Sequence, residues 1–387
     1  MSDGATGMKR FLNLLKLGKK TEEAKGRVGT TPHDVVFGEN KWKLLRYRPL
    51  EGAAPAARHR TPVLLVPSLI NRHYVLDLMP GKSFAEWLVA QGFDVFCIDW
   101  GTPEDEDRYV TFDDVCDVAI GRAIRRTTMI AGTEKTHLLG YCLGGTLTTI
   151  HAAVHPERIA SMCVLAAPVK FGQAENLLEA WTREGSFDVR ALVDATGNVP
   201  HQLLQAAFHL LRPTLGLSKA VHMLDRAWDD EFLDGFLALE QWGSDNVPFP
   251  GECYARYIEE LYQKDALAKG TFTLSGKPAR LEALTVPLLS VTFEHDNIVP
   301  KDSAAPLVER AGSAHKEGLH LPGGHVGAVV SRAASKRLWP KLGDFFARWD
   351  EAKATVAAME EKTPEPKPER KARTSTRPPA AKAARAR

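Results

Sequence analysis

Nine residues, Leu138-Leu139-Gly140-Tyr141-Cys142-Leu143-Gly144-Gly145-Thr146, constrain this chain more than any other stretch. An apolar run ends in Gly-x-Cys-x-Gly, and a segment of helical character follows it at 145–155. Glycines on both sides of the cysteine allow a sharp turn from strand into helix, which bulkier residues resist. Such a turn lifts one side chain above the edge of a sheet. The helix N-terminus beneath it favours negative charge on a sulfur or on a neighbouring oxyanion. The pattern is that of a nucleophile elbow with cysteine as the nucleophile, fed by a strand at 137–140.

The flanking sequence repeats a strand–helix rhythm. A β-hairpin is expected at 34–48 and a loop at 53–60. Continuous apolar runs predict buried strands at 62–67 and 94–100, and further strands are expected at 161–167, 286–293 and 318–321. Between and after them, helices are expected at 83–91, 113–130, 303–311 and 328–352. Short strands alternating with helices predict an α/β chain, a mostly parallel sheet with helices on both faces. The rhythm breaks from 171 to 277. This stretch is rich in Trp, Leu and Phe, too long for a loop, and predicts helices at 176–182, 202–211, 231–242 and 253–262. It reads as a largely helical cap inserted over the sheet. The expected organisation is an N-terminal extension (1–30), a core (31–170 and 278–352), a cap (171–277) and a tail (353–387).

The net charge of +2 hides an asymmetry. Residues 363–387 carry eight Lys/Arg against two acids, so the rest of the chain is mildly acidic. The Pro/Ala/Lys/Arg composition of the tail cannot bury a core and predicts disorder. Nucleic acid is an expected partner only through that tail. The five cysteines are irregularly spaced, with no CxxC pair and no zinc ligand set, so neither a metal nor a resident cofactor is expected. Residues 8–20 predict a short basic helix with Met8, Phe11, Leu12 and Leu15 on one face. It would pack on the domain or dock on a partner or an apolar surface. Polar residues interrupt its apolar ones, so no secretory leader is expected, and no run approaches the roughly 18 apolar residues of a membrane span. A cytoplasmic protein is expected.

A cysteine nucleophile needs a base and an orienting acid, because an ordinary thiol, with pKa near ~8.5, is only a few per cent thiolate at neutral pH. Asp296 lies in Glu294-His295-Asp296-Asn297-Ile298-Val299-Pro300, the turn after one predicted strand. His325 lies in Pro322-Gly323-Gly324-His325-Val326-Gly327, the glycine-rich loop after the next. Cys142, Asp296 and His325 thus follow the nucleophile–acid–histidine order of the α/β-hydrolase fold, each after the C-terminal end of a strand. His295 competes with His325 but lacks the glycine loop. The oxyanion hole is expected from the backbone N–H of Leu143 and, from the loop after strand 62–67, that of Ile70. Asn71 and Arg72 in that loop could be ordinary loop polarity.

Several motifs together resemble the polyhydroxyalkanoate synthases. Gly140-Tyr141-Cys142-Leu143-Gly144-Gly145 is similar to the cysteine lipase-like box of that family. Similar too are the run from Leu69 to Leu78, the Ile98-Asp99-Trp100-Gly101 ending, Thr196-Gly197-Asn198-Val199-Pro200, the segment from Trp242 to Gly251, and the Asp296 and His325 loops. The resemblance spans about residues 31–349, and the short N-terminal region makes it most similar to the class III catalytic subunit. The chain departs from the family at Leu143, usually polar, at Asn297, usually histidine, and in its basic tail.

The resemblance implies polymerisation of (R)-3-hydroxyacyl-CoA, with 3-hydroxybutyryl-CoA the expected monomer, and release of CoA. His325 would remove the thiol proton, and Cys142 would take the acyl group as a thioester. An incoming 3-hydroxyl, deprotonated by His325 or by Asp296 through it, would then extend the chain. The expected partners are the acyl-CoA, the growing polyester and its granule surface, a second noncatalytic subunit, and a homodimeric or hetero-oligomeric assembly. Two other readings stand beside it: a cysteine-box thioesterase or polyester hydrolase, and a noncatalytic granule-binding scaffold. The sequence leaves the remaining substrate-binding residues unknown.

Overall fold

The computed structural model describes residues 3–49, 59–171, 182–183, 185–211 and 215–350. The expected helix at 176–182 falls almost wholly outside them, as do most of the 53–60 loop and the whole tail from 351. The described residues lie within one unit, 1–352.

Ten strands occur among the described residues: β1 (His33–Glu39), β2 (Trp42–Tyr47), β3 (Val63–Val66), β4 (Val95–Asp99), β5 (Thr136–Tyr141), β6 (Ile159–Leu165), β7 (Thr273–Leu274), β8 (Lys277–Pro278), β9 (Leu288–Phe293) and β10 (Lys316–Leu321). Eight form one sheet in the order β1-β2-β4-β3-β5-β6-β9-β10, and β7-β8 is a separate ribbon. β1 and β2 form the expected antiparallel hairpin, and β2 also meets β4 antiparallel. From β4 to β10 every pairing is parallel. The carboxyl ends of β3, β5, β9 and β10 therefore lie along one edge, so the loops carrying Ile70, Cys142, Asp296 and His325 start there.

Side chains alternate between the two faces of a strand, and here both faces are covered. Leu64, Val66, Leu138, Met162 and Val164 enter one core cluster. Val63, Leu65, Leu139, Cys163 and Leu165 enter the other. Each fully buried Leu or Val contributes roughly 1.5–3 kcal/mol of transfer free energy. The helix Leu143–Val154 packs behind β5 with Leu143 to Ala153 all buried, which explains its small and apolar composition.

Three expectations change. The helix after the elbow begins at Leu143, two residues early. The expected helix at 328–352 is three short helices, Gly327–Val330, Arg332–Arg337 and Trp339–Arg348. Ser331 starts the second by accepting a hydrogen bond from the Ala334 N–H, and Pro340 opens the third. The insertion carries further helices at Val189–Thr196 and Leu215–Arg226.

The N-terminal helix extends from Asp3 to Leu15, and a second runs from Leu17 to Lys25. They meet the insertion through an apolar cluster of Ala24 with Leu233 and Leu237 and through polar groups: Asn13 donates to the Ala227 carbonyl (2.7 Å) and to Asp230 (2.9 Å), and Lys20 pairs with Asp230. Met8, Phe11, Leu12 and Leu15 are exposed. Among the described residues no helix is long and apolar enough to cross a membrane.

Candidate active site

The elbow is built by close approach. Cys142 itself takes the unfavourable backbone, with φ 54° and ψ −128°, a conformation that costs a non-glycine residue about 1–3 kcal/mol. The glycines around it have negative φ and are required for space instead. A Cβ on Gly144 would lie 2.1 Å from the Val66 carbonyl oxygen. One on Gly140 would lie 2.3 Å from the Thr148 hydroxyl, and one on Gly145 2.5 Å from the Ala167 Cβ. The helix can therefore start immediately after the cysteine and lie hard against β3. Its first N–H groups have no partner within the helix, and Leu143 supplies the first of them.

Asp296 is held in its turn by its own carboxylate. Oδ1 accepts hydrogen bonds from the backbone N–H of Ile298 (2.9 Å) and Val299 (2.8 Å). Oδ2 faces His325 Nδ1 at 2.7 Å, and both residues are buried. Two backbone bonds join the loops that carry them, Glu294 N–H to the Leu321 carbonyl and His295 N–H to the Gly323 carbonyl. Gly323 has φ 128°, which favours glycine, and it turns the chain so that the ring points inward. The Tyr141 hydroxyl donates to the His325 carbonyl at 3.3 Å.

With Nδ1 on Asp296, Nε2 is left for the Cys142 sulfur. Burial pulls the His325 pKa down, but the sulfur and the Asp296 carboxylate outweigh it and raise the pKa to about 10. The arrangement favours a proton held on the imidazole between the sulfur and the carboxylate. His295 is exposed on the far side of the Asp296 turn and does not join this cluster.

Cys142 lies where two cavities meet. The larger, about 380 Å³, is lined by Cys142, Leu143, Phe187, Leu204, Phe249 and Tyr257 among others and is almost wholly apolar. The smaller, about 200 Å³, contains His325 with Asn71, Gln205, His209, Lys219 and Asn246. Ile70 borders both. Most of the larger wall comes from the insertion and was not foreseen. A signal was present in Tyr254, Tyr257 and Tyr262, whose spacing sets aromatic rings along a single helical segment.

Asn71 and Arg72 are tethers. Arg72 Nε donates to Asp245 (3.0 Å), and its carbonyl accepts from the Trp242 indole (3.0 Å). The Tyr74 hydroxyl also donates to Asp245 (2.8 Å), and Asn71 bridges to Asn246. The loop bearing Ile70 is thereby fastened to the insertion.

A family model described as alpha/beta hydrolase fold matches residues 61–330. A second, described as poly-beta-hydroxybutyrate polymerase (PhaC) N-terminus, matches residues 8–88. The poly(3-hydroxyalkanoate) polymerase subunit PhaC of Haloferax mediterranei is 35% identical over 346 residues, which cover 89% of this chain and 69% of that protein. Its counterpart from Allochromatium vinosum is 34% identical over 319 residues, covering 82% and 89%. This chain belongs to the poly(3-hydroxyalkanoate) polymerase family. Among solved structures, a non-heme bromoperoxidase BpoC from Mycobacterium tuberculosis H37Rv matches with TM-score 0.50 at 14% identity, over 82% of this chain and 99% of that one. A thermophilic esterase from Thermogutta terrifontis matches equally, over 82% and 97%. Those two share the polymerase chain's α/β-hydrolase fold.

Proposed function

We propose that the chain is an acyltransferase that polymerises (R)-3-hydroxyacyl-CoA, with 3-hydroxybutyryl-CoA as the expected monomer, and releases CoA through a thioester on Cys142. The observation that carries this reading is the sulfur at the junction of two cavities. A hydrolase needs one acyl pocket and water. An enzyme that extends a chain must hold a bound acyl group while a second, hydroxyl-bearing acyl group reaches the same carbon.

The raised His325 pKa suits the ring to hold a proton. His325 Nε2 takes the thiol proton as the Cys142 sulfur attacks the thioester carbonyl. Backbone N–H groups of Leu143 and Ile70 face the oxyanion. As the C–S bond to CoA breaks, the departing thiolate takes the proton from His325 Nε2. The neutral ring then accepts the proton of an incoming 3-hydroxyl, whose oxygen attacks the Cys142 thioester. The new ester forms, the Cys142 thiolate leaves, and the imidazolium is restored. Asp296 keeps Nδ1 protonated throughout, which leaves Nε2 as the working nitrogen. A thioester donor is more reactive than a serine ester, which suits cysteine to repeated transfer. No resident cofactor enters the scheme.

A cytoplasmic location at the surface of the growing polyester, assembly into a homodimer or hetero-oligomer, and a second noncatalytic subunit belong to the same proposal. Purified protein incubated with 3-hydroxybutyryl-CoA should release CoA and deposit polymer. Cys142→Ala should do neither. Free 3-hydroxybutyrate without polymer would sink the proposal in favour of a hydrolase, and CoA release by Cys142→Ala would remove the cysteine from the chemistry.

A further inference from the structure

The larger cavity, about 380 Å³, has room for only a few 3-hydroxyacyl units. A polyester built at Cys142 therefore has to leave it while still being extended. Of the described side chains that line the cavity, Leu203 alone is also one of the large hydrophobic side chains exposed to solvent, at 48%. It sits on the helix His201–Leu211, whose Leu204, Ala207 and Phe208 line the cavity with it. The cavity thus meets solvent at Leu203.

From that mouth an apolar stripe runs outward. Leu210, about two turns on, is 53% exposed and shares a helical face with Leu203, and Ala206 stands exposed between them. The helix carries no Asp, Glu, Lys or Arg. The next helix, Leu215–Arg226, exposes Leu217, Val221 and Leu224 on the face away from Lys219, which borders the smaller cavity. Among the described residues thirteen large hydrophobic side chains are exposed, and nine of them lie on these two helices and on Asp3–Leu15. Arg10 of that first helix donates to the Asp225 carbonyl (2.9 Å), which fastens it to the end of Leu215–Arg226. Apolar surface this concentrated, continuous with a catalytic cavity, points to an uncharged occupant that comes out of the cavity.

The chemistry of a single cysteine gives that occupant a need to be held. When the 3-hydroxyl of an incoming acyl-CoA attacks the Cys142 thioester, the new ester bond forms, the C–S bond breaks, and His325 takes the hydroxyl proton. The lengthened chain is then a CoA thioester. The sulfur regains it only by attacking that thioester, and the departing CoA leaves with the proton from His325. Between the two steps no covalent bond joins chain to protein. We propose that the stripe from Leu203 to Leu210 grips the emerging polyester during that interval and so keeps extension on one chain. This rests on the polymerase reading of the site. A polyester has no charge to be matched, and its methyl and methylene groups gain by taking the leucines out of water.

The test is polymerisation of 3-hydroxybutyryl-CoA by the full chain, reading the molar mass of the polyester and, by mass spectrometry, the CoA thioesters left in solution. Leu210→Ser should lower the molar mass about tenfold, the scale of one leucine side chain withdrawn from water, and release soluble CoA thioesters of short 3-hydroxybutyrate oligomers. Leu210→Ala, which keeps a strong helix former, should act in the same direction and carries the test if the serine variant does not fold. Met129→Ser, at another exposed apolar position on the helix Ile120–Ala131, should give the wild-type polymer. Polymer of wild-type mass and no soluble oligomers from a Leu210 variant with an intact melting curve would overturn the inference. So would an equal effect of Met129→Ser. A changed oligomeric state by light scattering would overturn it too, because the stripe would then be a contact between copies. The polymerase reading fails differently: wild type would then yield free 3-hydroxybutyrate and no polymer.

Discussion

His325 stands between the Asp296 carboxylate and the Cys142 sulfur, and its partner at Nδ1 decides which nitrogen faces the sulfur. Asp296→Asn tests this with little change of shape. The asparagine Oδ1 can still accept from the Ile298 and Val299 N–H groups, so its amide NH₂ would face the ring. The ring would then have to accept at Nδ1 and carry its hydrogen on Nε2, where it cannot take a proton from an incoming hydroxyl. CoA release should fall roughly 10²- to 10⁴-fold. The lost carboxylate should also lower the His325 pKa from about 10, measurable by ¹⁵N NMR titration of the ring. The sign for stability follows from the same shift. A histidine raised above its unfolded value of about 6.5 stabilises the fold fully below that pH, and the gain is lost as pH rises through about 10. Wild type should therefore lose urea resistance between those values, and Asp296→Asn should lose less. A ring that titrates near 6.5 in wild type would refute the raised His325 pKa and the stability window drawn from it.

At the scale of elements, legibility followed how local the determinant was. β3, β4, β5, β6 and β9 are continuous apolar runs ended by polar or glycine-rich turns, so each is written in its own few residues. Their parallel order then follows from the intervening helices. The elbow was legible as a pattern, but its physics was not: Gly140, Gly144 and Gly145 answer to atoms of other elements, and only the assembled core reveals those contacts. The π-helical turns at Asp114–Ala119 and Tyr257–Gln263 fall inside stretches whose pattern predicts ordinary helix, at 113–130 and 253–262. The break at Ser331 was in the sequence as a helix-capping residue, but the apolar residues around it masked it. Two glycine substitutions separate these causes. Gly144→Ala places a methyl group against the Val66 and Pro67 carbonyls and should cost about 1–3 kcal/mol or more by urea unfolding, with activity lost as Cys142 shifts. Gly7→Ala, exposed within the helix Asp3–Leu15 with nothing near the added methyl, should stabilise by at most about 1 kcal/mol. Equal effects of the two would mean that close packing does not shape the elbow.

For the whole molecule the question is how water would be kept from the proposed Cys142 thioester between additions. The sheet edge is open by construction, and the insertion covers it. What fastens the two is compact. Asp245 accepts from Arg72 and from the Tyr74 hydroxyl, Asn71 meets Asn246, and the Trp242 indole donates to the Arg72 carbonyl. Arg72 and Asp245 are 173 positions apart, so no local pattern could pair them, although both sit in motifs the family resemblance had marked. The same loop carries Ile70, so the tether also holds the proposed second oxyanion donor in place. Loosening it should therefore change the fate of the acyl group more than its formation. Asp245→Ala strands two donors that the assembled protein had matched, and local opening should follow. The first-turnover burst of CoA from 3-hydroxybutyryl-CoA should persist, because Cys142, Asp296 and His325 are untouched. The product should shift from polymer toward free 3-hydroxy acid and shorter chains, because water now competes with the incoming hydroxyl for the same thioester. The measurement is the ratio of soluble acid to precipitated polyester at equal CoA release. If that ratio stays at the wild-type value while the protein remains folded, the tether does not guard the site, and exclusion of water must come from the aromatic wall of the larger cavity.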